Sequence, residues 1–262
     1  MLMGRKTVVK NTTFRGVRRI LDVLSPLFCR GCGQKGEILC VCCKNYIISN
    51  VELEKIYKNR SEGAEAVKIF REARFLGFRD EILGELVEEY KYNAVREIGV
   101  GLAEILWKKL EKEVREGERM IVVPMPTSRK HIRERGFDHM DLLIKSLEKY
   151  SGGRLKKVRF LERKNDTVQV GAGEELRREQ AKEAFFVSQR YLTEEGRILS
   201  ELRGVRAILV DDVWTTGASM TEAGRMLKDA GLNNLEAVAI TKNRQGRSPL
   251  IRERGELFID ED

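Results

Sequence analysis

Apolar residues recur along this chain with two different periods, and the position where the period changes divides it. Between Ile82 and Leu110, the residues Ile82, Leu83, Leu86, Val87 and Tyr90, then Ile98, Leu102, Ile105 and Leu106, return every three or four positions. That spacing lines one face of a helix and predicts a helix or helix pair whose stripe is buried as core. The longer stretch from Val51 to Leu110 reads as helices joined by loops. From Met120 the texture changes. Met120 to Pro124 is a short β-branched run stopped by proline, and helical spacing returns from Gly136 to Tyr150, which gives a strand, a loop and a helix. Further strands are predicted at Lys157 to Leu161, Ala184 to Val187, Ala207 to Val213 and Leu235 to Thr241, with a last short one at Glu256 to Ile259. A helix from Ser219 to Ala230 lies between two of them, with Gly231 as its stop.

Strands alternating with helices imply an α/β fold: a mostly parallel sheet covered by helices on both faces, with ligands beyond the carboxyl ends of the strands. The loops after Val123, Leu161 and Val213 are therefore where chemistry is expected. A chain of 262 residues, 42% of them hydrophobic, suffices for one main domain and a small appendage. We divide it into a basic tail at 1–24, a cysteine-dense module at 25–50, a helical hood or linker at 51–118 and the main domain at 119–262. No internal repeat is present.

Charge narrows the picture only slightly. Lysine and arginine exceed aspartate and glutamate by 49 to 41, a formal net charge of +8, which favours a polyanionic partner such as nucleic acid or a phosphorylated metabolite, and equally suits a solvated surface. The first residues are basic but lack the apolar run of about 7 to 15 residues that a secretory signal needs. No window approaches the apolar length of about 18 residues expected of a membrane span. The expectation is a soluble, cytoplasmic protein.

The most informative segment is AILVDDVWTTGASM, Ala207 to Met220. A buried strand delivers two carboxylates, Asp211 and Asp212, to the end of the sheet, where they can accept hydrogen bonds from vicinal hydroxyls or hold a hydrated Mg²⁺. Next come Thr215, Thr216, Gly217, Ala218 and Ser219, at a predicted helix start. Free backbone N–H groups there, with three hydroxyls, form an anion cradle that a phosphate monoester fits. Trp214 either stacks on a ligand or packs the loop.

A second segment, VVPMPTSRKHIRERGFDHM at Val122 to Met140, carries Arg129, Lys130, Arg133 and Arg135. Guanidinium groups bind phosphate oxygens through paired hydrogen bonds, so this basic loop suits a diphosphate, and a solvated loop is its alternative reading. His131 and His139 flank it, and both are expected on the surface. The stretch Glu162 to Lys182 is long, polar and glycine-containing, as a lid over a site or a surface loop would be. The third segment holds Cys29-x-x-Cys32 and Cys40-x-x-Cys43, two thiolate pairs at a spacing that matches tetrahedral Zn²⁺ in a structural site. Cys42 is the spare, a thiol or an alternative ligand.

These segments carry a resemblance. The run from Ala207 to Ser219 is similar to the phosphoribosyl-pyrophosphate (PRPP) signature of type I phosphoribosyltransferases. That resemblance implies their fold, ribose hydroxyls on Asp211 and Asp212, the 5′-phosphate on Thr215 to Ser219, diphosphate at the basic loop, and Mg²⁺ accompanying PRPP. Pro124-x-Pro126 with Arg135-Gly136-Phe137, the Lys91-Tyr92 pair, and Arg163, Thr167, Gln169, Arg177 and Phe185 resemble the pattern of ComF-type competence proteins, which also carry an N-terminal zinc knuckle. Asp138 and Gln180 stand where that family usually has asparagine, and are poor candidates for inherited roles. The resemblance implies phosphoribosyl transfer to an acceptor that the sequence does not specify. Its alternative is a nucleotide-sensing scaffold that handles single-stranded DNA beside a helicase or recombination mediator.

Overall fold

The computed structural model describes residues 26–56, 66–79, 81–93, 95–164, 185–193, 202 and 204–244. The first half comprises α1 (Val41–Asn50), β1 (Glu54–Lys55), α2 (Ala66–Ile69), β2 (Ala73–Phe78), α3 (Ile82–Tyr92), α4 (Arg96–Leu110) and β3 (Met120–Pro124). After it come α5 (Arg129–Arg135), α6 (His139–Tyr150), β4 (Leu155–Lys157), β5 (Leu161–Arg163) and β6 (Phe185–Val187). The last described elements are β7 (Ala207–Trp214), α7 (Ala218–Asp229) and β8 (Leu235–Lys242).

Six strands form the main sheet in the order β1-β2-β8-β7-β3-β4. All neighbours run parallel except β1, which pairs antiparallel with β2 at one edge. Strands β5 and β6 form a separate antiparallel pair. The two faces are assigned by the period of two along each strand. Val122, Ile208, Val210, Val238 and Ile240 face the cluster built by α3, α4 and α6, while Ile121, Val123, Leu209, Ala237 and Ala239 face α7. A slip of one residue would exchange the two sets, so the register is held by both cores at once. Each fully buried aliphatic side chain contributes about 1.5–3 kcal/mol.

The helix pair at 82–110 and the strands at Met120, Ala207 and Leu235 form where the periodicity places them. Four expectations are corrected. Residues 73–78 form a fully integrated strand paired in parallel with β8, although 51–110 reads as helices and loops. Its Arg74 disguises it: the residue is 2% exposed and its charge is met by Glu236 and Glu113. The strand expected at Lys157 to Leu161 does not form as one: Lys157 ends β4, Leu161 begins β5, and 158–160 join them. The basic loop is the short helix α5, capped by the Ser128 hydroxyl, which accepts from the His131 N–H at 3.2 Å. Gly136, expected at a helix start, ends that helix with φ at 74°, a conformation glycine adopts without strain. The strand expected at Glu256 to Ile259 lies outside the described residues.

Candidate ligand site at the carboxyl ends of the central strands

Three elements converge where β7 ends. The carboxylate of Asp212, itself 7% exposed, meets Lys91 Nζ from α3 at 2.9 Å and His139 Nε2 from α6 at 2.5 Å. The other imidazole nitrogen, Nδ1, stands 2.9 Å from Arg135 Nη1, and the His139 carbonyl accepts from the Tyr90 hydroxyl at 2.5 Å. Asp211, partly exposed, accepts from the Asp212 N–H at 2.9 Å. The two carboxylates respond oppositely to this setting. Burial and the neighbouring Asp212 charge push Asp211 up to about 7. Burial opposes ionisation of Asp212 too, but Lys91 and His139 outweigh it and hold that carboxyl below the usual carboxylate range. Two adjacent acids with separated affinities for protons are the arrangement expected of a functional site.

The following turn is shaped from below. Trp214 is fully buried, and a Cβ placed at Gly217 would lie 2.3 Å from its Cζ2. Gly217 also has φ at 77° and caps α7, so both the backbone angle and the indole exclude a side chain there. Trp214 is thus the packing residue, not a ligand platform. Thr215 and Ser219 are exposed, Thr216 and Ala218 are partly exposed, and the Ala218 N–H donates to Thr216 Oγ1 at 3.3 Å. The turn therefore presents hydroxyls and the amide end of α7 to solvent beside the acidic pair.

The remaining candidates divide. Arg135 reaches the acidic cluster through His139 and stacks over the Tyr92 ring, 5.8 Å from its centroid. Arg129, Lys130 and Arg133 are exposed on α5, and Lys130 lies 3.9 Å from Glu134. His131 is exposed as expected and pairs with Glu134 at 3.0 Å. His139 is not on the surface: it is 5% exposed and forms part of the site. Its signal was present in the sequence, because His139, Leu143 and Leu147 share one helical face at i, i+4 spacing. Asp138 caps α6 by accepting from the Asp141 N–H at 3.1 Å, and also accepts from Thr127 Oγ1 at 3.0 Å. Arg163 lies on β5 with its guanidinium 5.6 Å from the Phe185 ring centroid. Thr167, Gln169, Arg177 and Gln180, with the rest of 165–184, lie outside the described residues.

The cysteines form a second centre. The sulfurs of Cys29, Cys32, Cys40 and Cys43 all lie within 4.8 Å of one another, and Cys32 and Cys40 are 3.7 Å apart. Four thiolates about 2.3 Å from one Zn²⁺ would stand roughly 3.8 Å apart, so the donor set fits structural zinc. Backbone N–H groups of Gly31 and Cys40 point at the Cys29 sulfur, each at 3.4 Å. Burial raises the Cys29 thiol, but backbone hydrogen bonds at Cys40, Cys32 and Gly31 win and lower it to about 6, whereas burial and the neighbouring sulfurs push Cys43 up. A Cβ at Gly31 would fall 2.7 Å from the Cys43 sulfur, so the knuckle also needs that glycine. Cys42 is exposed and outside the cluster.

With this geometry in view, comparison with known proteins defines the class. Residues 150–254 match the phosphoribosyl transferase domain family. Orotate phosphoribosyltransferase of Methanopyrus kandleri is 37% identical over 59 residues, 22% of this chain and 32% of that protein. A hypoxanthine phosphoribosyl transferase structure from Trypanosoma cruzi is 10% identical over 60% of this chain and 69% of its own, with a TM-score of 0.35, too loose a likeness to bear on the site. Over residues 150–254 the chain thus matches the phosphoribosyl transferase domain family, and a four-cysteine cluster precedes that stretch. A longer match extends beyond that domain. The DNA utilization proteins YhgH of Salmonella typhimurium and Salmonella typhi are each 28% identical over 150 residues, 55% of this chain and 60% of theirs. Over that stretch the chain is homologous to YhgH. It spans less than two thirds of the length of these relatives. No helix among the described residues is long and apolar enough to cross a membrane.

Proposed function

We propose that the chain binds Mg²⁺-PRPP at the carboxyl end of β7 and transfers its phosphoribosyl group to an acceptor. One observation supports this above the rest: an acidic pair lies near the carboxyl end of a central parallel strand, and only Val213 and Trp214 separate it from a glycine-shaped turn at the amino end of α7. In this reading Asp211 and Asp212 accept from the ribose hydroxyls, and Thr215, Thr216, Gly217, Ala218 and Ser219 hold the 5′-phosphate. Arg135 meets the diphosphate, with the exposed Arg129, Lys130 and Arg133 as a basic approach, and Arg163 is a further substrate-binding cation. Mg²⁺ supplies charge that neutralises the leaving diphosphate. The residues of the chain act by positioning and by electrostatic stabilisation of the charge that develops at the sugar.

The test is calorimetric titration with Mg²⁺-PRPP. The expected result is saturable heat from the wild-type protein and at least about a 100-fold weaker response from the doubly substituted Asp211→Asn, Asp212→Asn protein, which loses two charged acceptors. No heat from the wild type would overturn the reading. Diphosphate release with candidate acceptors then reports turnover.

The homology to YhgH favours a second reading, in which the fold is kept as a nucleotide-sensing scaffold for a protein that handles single-stranded DNA. It is distinguished by PRPP binding without diphosphate release, together with single-stranded DNA affinity that falls steeply with salt. Zinc in the knuckle is tested by elemental mass spectrometry of the folded protein, where about one Zn²⁺ per chain is expected.

A further inference from the structure

The chain from Arg135 to Asp212 has a fixed direction. Arginine can only donate, so where Arg135 Nη1 meets His139 Nδ1 at 2.9 Å the imidazole nitrogen must accept. Thr127 Oγ1 also lies 3.4 Å from Nδ1, but its hydroxyl hydrogen is directed at Asp138 Oδ1, 3.0 Å away. The ring hydrogen therefore sits on Nε2, where it donates to Asp212 at 2.5 Å. His139 is buried at 5% exposure, its backbone carbonyl is pinned by Tyr90, and its ring packs edge-on against Tyr90 at 5.9 Å. With both ring nitrogens occupied by protein groups, His139 does not touch a ligand. Its neighbours do: in the proposed reading Asp212 meets the ribose and Arg135 the diphosphate.

We infer that His139 is a positioning residue that couples the diphosphate arm to the ribose carboxylate, so that the site favours a ligand carrying both groups over either piece alone. This rests on the PRPP reading above. Arg135, one of the four candidate cations on α5, reaches the acidic cluster through this ring. Its guanidinium is held from the other side by the Tyr92 ring at 5.8 Å. A ligand that orders either end of the relay therefore orders the other, which lowers the cost of binding the second group.

The experiment titrates Mg²⁺-PRPP, ribose 5-phosphate and pyrophosphate against the wild type, His139→Gln and His139→Leu. Glutamine keeps one neutral acceptor for Arg135 and one donor for Asp212, whereas leucine keeps the bulk and neither bond. The leucine variant is expected to lose about 10- to 100-fold in PRPP affinity and only about 3-fold for either fragment, with glutamine restoring PRPP binding to within about 3-fold. A leucine variant that binds PRPP like the wild type overturns the coupling, and so does equal loss for all three ligands. If the leucine variant does not fold, nitrogen resonances of His139 in the wild type decide: hydrogen on Nε2 supports the relay and hydrogen on Nδ1 overturns it. Absence of PRPP binding by the wild type would instead sink the functional reading itself, a result separable from both.

Discussion

Two clusters of buried charge sit at opposite ends of the same sheet, and they are built differently. At the amino ends of the strands, Glu236 is shared between Arg74 Nη2 at 2.8 Å and Arg206 Nε at 2.7 Å, and Glu113 closes onto Arg74 as well. Every strong charge there is matched by an opposite one, and arginine cannot lose its proton. At the carboxyl ends, two carboxylates stand side by side with a lysine, and a histidine relays to an arginine. There the charges are imperfectly matched, and Asp211 is pushed up to about 7 by burial and by Asp212. The closed cluster joins the amino ends of the strands; the open one is where we propose that the ligand binds.

The contrast can be broken most forcefully from the closed end. Arg74→Met leaves Glu236 short of one partner in a buried setting and is expected to destabilise the fold by about 3–5 kcal/mol, read from chemical denaturation. PRPP affinity of the remaining folded protein should stay nearly unchanged. A loss of affinity matching the loss of stability would mean the two ends are not independent.

The open end should behave in the opposite sense. Because the folded-state affinity of Asp211 for its proton is raised from about 3.9 in the unfolded chain to about 7, the folded protein binds more protons between those values, and stability falls as pH rises from about 4 to about 7. Asp211→Asn removes that penalty. The variant should gain on the order of 1–2 kcal/mol relative to the wild type at pH 7.5, and little at pH 4, while losing PRPP affinity. Equal stability of the two proteins across this range would remove the case for strain at the site.

A smaller effect is expected at Asp141. Burial opposes its ionisation, yet Lys145, Lys157 and Arg159 outweigh burial and lower it to about 2. Its contribution is fully present above the unfolded value near 3.9 and is lost as pH falls through about 2. Asp141→Asn should cost about 1 kcal/mol at pH 7, after allowance for solvent screening, with the difference vanishing in strong acid. Thermal unfolding across pH measures it.

What could be read from the sequence is what is local. The acidic pair, the turn at Gly217 and the two cysteine pairs each lie within a few consecutive residues, so spacing alone carries their chemistry. The contacts of Asp212 are not local: His139 is 73 residues away from it, and Lys91 lies on a helix whose apolar stripe reveals core, not where its polar flank points. Strand β2 was hidden for a related reason. Its Arg74 is neutralised by Glu113 and Glu236, 39 and 162 residues away, and period alone cannot show that a charge has been cancelled from so far. The basic segment misled in the opposite sense, since a run rich in arginine reads as a loop until Ser128 and Gly136 are recognised as the two caps of a short helix.

The indole beneath the turn gives the molecule its own optical probe. The chain has two tryptophans. Trp107 is on α4 with Arg154 stacked 4.5 Å from its ring centroid, whereas Trp214 lies directly under Gly217. In a Trp107→Phe protein all tryptophan emission would come from a ring in van der Waals contact with the loop. Occupancy of that loop by an anion would then be visible as a change in emission, without label or coupled assay.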